Sequence, residues 1–169
     1  MPIKTPNNRK KTLVGVVGAS VAAILLVVVP KFEGTVLKGY LDPIGIATKC
    51  MGDTTNVIVG KRYTEAECRE SLETQLIAHA EPVLACTPGL KGRTYQLAAA
   101  VSFSYNVGVG AYCNSTTAKR FNSGDYAGGC KAINESDSGR PQWVTAGGRV
   151  LPGLVARRKD ERALCERGL

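Results

Sequence analysis

The chain has 169 residues, 44% hydrophobic and 21% charged, the balance of a globular protein and not of a disordered one. Its net charge of +8 is uneven: Lys4, Arg9, Lys10 and Lys11 occupy the first 11 residues with no acid among them, and 18 basic residues are set against all 14 acids in the rest. Only 6% of residues are aromatic, and no basic stripe interleaves with them, so no nucleic-acid partner is expected.

Thr12 to Val29 is a run of 18 residues without a charge. As a helix it would reach about 27 Å, just enough to span the hydrocarbon layer of a bilayer. The four cations before it would hold the N-terminus in the cytoplasm and send the rest out. Gly15, Gly18, Ala19, Ser20, Ala22 and Ala23 dilute its Leu and Val content. A cleaved signal peptide would want small residues at the end of the run, where Leu-Val-Val-Val-Pro-Lys stands instead. A permanent anchor would be longer and more apolar. An uncleaved segment, marginal enough to leave the bilayer, fits the composition best. The expected organisation is a basic cytoplasmic tail at 1–11, a releasable transmembrane segment at 12–30, and an exported body at 31–169, the size of one domain.

All six cysteines (Cys50, Cys68, Cys86, Cys113, Cys130, Cys165) follow the apolar run. An even number in an exported body predicts three disulfides. There is no Cys-x-x-Cys pair, and the single histidine, His79, falls in a helical stretch and reads as a surface or packing residue. Neither a metal nor an organic cofactor is expected.

Beyond the run, Phe32 to Tyr40 can form a short helix. Gly39, Pro43, Gly45 and Gly52 then punctuate a stretch of turns, with short strands around Ile44–Met51 and Asn56–Val59. Thr64 followed by Glu67 is a capping box, opening a helix to about Ala80 with Leu72 and Leu76 on its apolar face. Pro82 and Thr87-Pro-Gly mark a loop. Thr94 caps the most apolar helix, Tyr95 to Val107, which Gly108 stops; it reads as the central buried helix. Short helices follow at Ser115–Phe121 and from Asp125 to about Ile133, then a polar loop to Pro141 and a further segment at Trp143. A charged terminal helix runs from Gly153 to Glu166, with Arg157–Glu161 and Arg162–Glu166 at i,i+4. The fold class is α+β: a small N-terminal α/β lobe with a short hairpin, a larger helical C-terminal lobe, and an N-terminal transmembrane helix before both.

Glu33 and Asp42 frame the chemistry. Two carboxyls in different environments can divide acid and base roles, the protonated one donating and the solvated one staying ionised, and Thr48 could hold a water. Spacing alone fits solvated surface carboxylates as well.

Glu33-Gly, Tyr40-Leu-Asp42-Pro, Gly45-Ile, Thr48 and Gly52-Asp-Thr together resemble the Glu-x8-Asp-x5-Thr signature of phage lysozymes of the T-even type, glycoside hydrolase family 24. Tyr63-Thr-Glu-Ala-Glu-Cys68, Ala100-Val-Ser-Phe-Ser-Tyr-Asn106-Val-Gly108, Ser115-Thr116 and Gly153-Leu-Val-Ala-Arg157-Arg158-x-x-Glu161 extend the resemblance over residues 32–165. With the weakly apolar N-terminal run, the chain is similar to the signal-anchor-release endolysins in particular.

The resemblance implies a lysozyme-like fold and a muramidase that hydrolyses the β-1,4 bond between N-acetylmuramic acid and N-acetylglucosamine in peptidoglycan, for host cell lysis. Glu33 would be the general acid, Asp42 would orient or activate the attacking water with help from Thr48, and the anomeric configuration would invert. Asn106 lies where the family places a cleft-facing amide. Arg157 or Arg158 could pair with Glu33, although two arginines in a charged terminal helix read first as surface residues. Asp53 is a departure, since many members carry histidine after the glycine at this position. Neighbourhood and family position together imply the disulfides Cys50–Cys68, Cys86–Cys113 and Cys130–Cys165. The implied partners are peptidoglycan, the host inner membrane through residues 12–29, and the host Sec export machinery. The protein would act as a monomer, first in the inner membrane and then released to the periplasm. The rival readings are a non-enzymatic, membrane-anchored wall-binding ectodomain and a chitinase-like glycosidase.

Overall fold

A computed structural model describes residues 10–169. The apolar run forms two helices, α1 (Leu13–Val17) and α2 (Ala19–Glu33). Thr12 caps α1, its hydroxyl oxygen accepting from the Gly15 N–H at 3.1 Å. Gly18, at φ 88°, separates the two helices in a conformation that side chains with a Cβ rarely adopt. Leu13, Val17, Val21, Leu25 and Val29 recur every four residues, and all five are buried. Val14, Ser20, Ala23 and Val27 on the other side are exposed. Among the described residues no helix is long and apolar enough to cross a membrane. In this fold residues 13–33 form two shorter helices, one face of which belongs to the protein core. The expected boundary at residue 31 falls inside α2.

The expectation for the stretch that follows is corrected. Phe32 to Tyr40 is not a helix. Glu33 is the last residue of α2, Gly34 ends it at φ 69°, and Val36–Leu41 is a strand, β1. β1 pairs antiparallel with β2 (Ala47–Cys50), placing Tyr40 opposite Thr48 and Leu41 opposite Ala47. Cross-strand pairing and Val-Leu content outweigh the local helical option. Along the other edge of β1, Gly39 N–H donates to the Lys61 carbonyl and Tyr63 N–H to the Leu37 carbonyl. Asn56–Val59, expected as a strand, is turn and irregular chain that passes over Gly39. A Cβ on Gly39 would stand 2.2 Å from the Ile58 carbonyl oxygen, so this crossing requires glycine.

The Thr64–Glu67 capping box is formed on both sides and opens α3 (Glu65–Cys86). This helix runs through Pro82 instead of ending near Ala80. Ala80 and Val83 are fully buried, and packing outweighs the hydrogen bond that proline cannot make. After a 3-10 turn at Pro88–Leu90, α4 (Thr94–Val107) is the central helix: residues from Gln96 to Ser104 are buried without a break. Arg93, not Thr94, occupies its N-cap position. Gly108 stops α4 at φ 90°, and α5 (Val109–Cys113), α6 (Thr116–Asn122) and α7 (Tyr126–Lys131) follow. Ser115 and Asp125 cap α6 and α7. The segment at Trp143 leads into a small hairpin, β3 (Thr145–Ala146) with β4 (Arg149–Val150), before α8 (Pro152–Glu166).

Disulfides join Cys50 to Cys68, Cys86 to Cys113, and Cys130 to Cys165. The first ties β2 to α3, the second α3 to α5, and the third α7 to α8. α4 is packed by α8, α2 and α3, so the hydrophobic run, the central helix and the charged terminal helix share one core.

Candidate active site

Glu33 sits where α2 ends, held from the opposite side by α8. Arg157 donates from Nη1 to Glu33 Oε1 at 2.6 Å and from Nε to Glu161 Oε1 at 3.0 Å. It also donates from Nη2 to the Ser102 carbonyl at 3.2 Å, and its guanidinium lies 4.9 Å from the centre of the Phe32 ring. The Arg157 side chain is 6% exposed and Glu33 23%, so this ion pair is largely shielded and geometrically fixed. Oε2 of Glu33 is directed toward Gly52, where a Cβ would stand 4.0 Å away. Gly52 has φ 82°, so the turn favours glycine and leaves space beside that oxygen.

Glu161 and Arg158 continue the network inward. Both are completely buried, 2.9 Å apart, and the Ser102 hydroxyl donates to Glu161 Oε1 at 2.8 Å. Burial pushes the Glu161 carboxyl up against the pull of Arg158 and Arg157, and pushes Arg158 down to about 10. Arg158 also stacks 4.8 Å from the Phe103 ring centre. The surface reading of the two arginines is therefore corrected, and it is Arg157, not Arg158, that binds Glu33. The signal was present: Arg157, Arg158, Glu161, Leu164 and Cys165 share one helical face and are all buried, with Cys165 in a disulfide.

Asp42 follows β1 directly. Its Oδ1 accepts from the N–H groups of Ile44 at 3.0 Å and Ile46 at 2.8 Å, locking the turn between the strands. Oδ2 accepts no hydrogen bond among the described residues. Thr48, on β2, is buried and donates its hydroxyl proton to the Ile46 carbonyl at 3.0 Å, so one turn orients both Asp42 and Thr48. Asn106 is exposed in the last turn of α4 and makes no hydrogen bond with Glu33, Asp42 or Thr48. Its neighbour Tyr105 is engaged instead: its hydroxyl is 2.9 Å from the Met51 carbonyl and 3.1 Å from Gln75 Oε1. Burial and the nearby charges of Glu33 and Asp53 raise the phenol well above its usual range, so it is a neutral brace between the lobes. Sequence periodicity placed Tyr105 only on the central helix.

Asp53 is buried behind β2. Ser71 donates to its Oδ2 at 2.6 Å, Thr55 N–H to its Oδ1 at 2.8 Å, and Lys49 lies 3.4 Å away. Burial opposes its ionisation, but these donors outweigh it and hold the carboxyl below its usual range. His79 packs on Tyr105, with ring centres 4.9 Å apart, and its Nδ1 lies 2.8 Å from the Gln75 carbonyl. Among the described residues no cluster of potential metal ligands occurs.

This is the architecture of a lysozyme: a small hairpin lobe and a helical lobe, with the glutamate arriving at their junction from the end of a helix. The chain belongs to the phage lysozyme family, whose profile matches residues 30–161. It is 34% identical over 169 residues to the SAR-endolysin of Bacteriophage PS119, covering 95% of each chain. Among solved structures it is similar to the muramidase domain of SpmX from Asticaccaulis excentricus, with a TM-score of 0.71 at 27% identity over 83% of this chain and 93% of that one. The fold also matches the active form of the P1 phage endolysin Lyz, with a TM-score of 0.77 at 22% identity over 92% and 90% of the chains. The secreted inactive form of that protein matches less well, with a TM-score of 0.55 at 18% identity over 90% and 96%.

Proposed function

We propose that Glu33 protonates the glycosidic oxygen and that Asp42, aided by Thr48, positions the water that attacks the sugar. The chain is a phage endolysin, a glycoside hydrolase of the lysozyme type acting on bacterial peptidoglycan. The observation that carries the assignment is the Glu33–Arg157 pair: one carboxylate oxygen is fixed at 2.6 Å and the other is left beside the space kept by Gly52. A general acid must hold one orientation toward the leaving oxygen; the bond from Arg157 to Oε1 fixes it and leaves Oε2 as the oxygen to carry the proton. Asp42, with Oδ1 committed to the turn and Oδ2 open, has the form expected of a group that orients a water. The T-even subclass and an inverting outcome complete the reading, the water entering between the two carboxyls. Asn106, exposed in the last turn of α4, is proposed to contact the glycan.

Residues 12–29 are proposed to have two homes. In the first they span the inner membrane after Sec-dependent export, and Glu33, four positions beyond Val29, is pinned at the outer surface. In the second they fold as α1 and α2 on the body and deliver Glu33 to Arg157. The name SAR-endolysin borne by relatives supports the first state, and the fourfold spacing of buried residues supports the second. Digestion of purified peptidoglycan, with identification of the new reducing-end sugar, tests the activity. Reducing N-acetylmuramic acid is expected. Reducing N-acetylglucosamine would overturn the muramidase assignment, and no release of muropeptides would favour a wall-binding role.

A further inference from the structure

The reaction as proposed makes no use of Glu161, although this buried carboxylate is only one side chain away from Glu33. Arg157 stands between the two. It donates from Nη1 to Glu33 Oε1 at 2.6 Å, from Nε to Glu161 Oε1 at 3.0 Å and from Nη2 to the Ser102 carbonyl at 3.2 Å, so all three of its nitrogens are engaged. Ser102 binds Glu161 as well, its hydroxyl donating to Oε1 at 2.8 Å. Arg158, completely buried, meets Glu161 at 2.9 Å and forms no other ion pair among the described residues. These partners decide the state of Glu161. Both guanidiniums can only donate and the Ser102 hydroxyl donates, so the carboxyl is ionised although burial opposes it. For stability alone, a buried ion cluster gains little over apolar residues of the same size. What sets this one apart is that it ends on Glu33.

On the reading that Glu33 is the general acid, its cation has two opposed effects. It fixes the carboxyl, but a neighbouring cation favours a carboxylate over the acid, and a carboxylate has no proton to give. We propose that Glu161 is a positioning residue for the acid: it holds the Arg157 guanidinium in one place and takes up part of its charge, so that Glu33 is gripped and can still carry a proton. The charge balance supports this. Arg157 and Arg158 face Glu33 and Glu161, two cations against two carboxylates. Protonating Glu33 therefore leaves one net positive charge in the cluster, and without Glu161 it would leave two. The other groups around Glu33 do not supply this compensation. On α8, Asp160 is paired with Lys31 of α2 at 2.8 Å. On α4, Tyr105 is neutral, burial holding its phenol above the usual range. On the small lobe, Asp53 lies behind the Gly52 turn with Lys49 at 3.4 Å, and Asp42 is bound through Oδ1 to its own turn.

The test is the rate of muropeptide release from purified peptidoglycan by the full chain, at subsaturating substrate and constant ionic strength, as a function of pH. The alkaline limb of this profile reports loss of the proton from the acid. Glu161→Gln keeps a carbonyl oxygen for Arg157 but removes the charge, so Glu33 faces two cations alone. Its alkaline limb is expected to lie at least about one pH unit lower than that of the wild type, with activity recovering in acid. In Arg158→Met the charge of Glu161 falls on Arg157 alone, and the limb is expected to move the other way. The two substitutions together remove one charge of each sign, and the limb is expected to return toward the wild-type position. Each protein is first checked for a cooperative melting transition. Should Glu161→Gln fail to fold, the upward shift in Arg158→Met carries the test by itself. A rate that falls evenly at every pH, with the limb unmoved, would make Glu161 a structural residue and overturn the inference, as would shifts of the same sign in both single variants. Glu33→Gln separates this failure from that of the acid reading. It is expected to be inactive at every pH, and activity in it would overturn the acid assignment and this inference together.

Discussion

Ser20→Asp separates the two homes of the N-terminal run. Ser20 lies at the middle of residues 12–29, yet in the fold it is exposed in the first turn of α2. In a bilayer, an aspartate at the centre of a span costs about 2.5–3.5 kcal/mol, enough to shift partitioning by roughly a hundredfold. In the folded body the same aspartate meets water on one side and the positive end of a helix on the other, worth about 0.3–1 kcal/mol in its favour. The substitution therefore penalises the membrane state alone. Both versions would be exported from a separate cleavable signal, so that entry into the export pathway is not what is measured. The variant is expected in the soluble periplasmic fraction, with lysis beginning earlier than for the wild type. A variant that stays in the membrane fraction and lyses cells on the wild-type schedule would refute the argument.

Other expectations follow from the same geometry. Deleting residues 1–29 removes Leu13, Val17, Val21, Leu25 and Val29 from the core; at about 2 kcal/mol each this approaches the whole stability of an ordinary domain, so insoluble or unfolded product is expected in place of an active soluble enzyme. A truncated chain with a wild-type melting transition would contradict this. Arg157→Met leaves Glu33 and Glu161 without their shared cation, and is expected to cost about 3–5 kcal/mol in chemical denaturation together with most of the activity. Asp53→Asn is expected to cost about 2 kcal/mol at neutral pH. Since the folded Asp53 carboxyl lies below its usual value, its contribution is complete above that value and disappears as pH falls through the lowered one; melting curves of wild type and variant should converge in acid and stay apart at neutral pH.

The elements with local chemical signals were legible in the sequence. The capping box at Thr64, the helix starts near Ser115 and Asp125, and the stop at Gly108 depend on neighbours in the chain, and all of these are in the structure, whereas the cap expected at Thr94 is not. What depended on distant partners was not. Phe32 to Tyr40 has helical content, and only pairing with β2 and with the segment at Lys61 makes its second half a strand. Pro82 reads as a breaker, and only the burial of Ala80 and Val83 carries α3 past it. The apolar run fits a bilayer by length, and its fourfold spacing of large residues fits a protein face equally; composition registers the first and only periodicity the second. Glu33 was singled out from its motif, but the partner that fixes it lies 124 residues away and looked like one member of a solvated charged helix.

The central claim is that Glu33 supplies the proton that breaks the glycan. Glu33→Gln retains the side-chain shape and a carbonyl oxygen for Arg157 but has no carboxyl proton to give. The measurement is the rate of muropeptide release from purified peptidoglycan by the folded variant, its melting transition and three disulfides verified first. The account predicts a fall of at least about a hundredfold. Release by Glu33→Gln at close to the wild-type rate would contradict it.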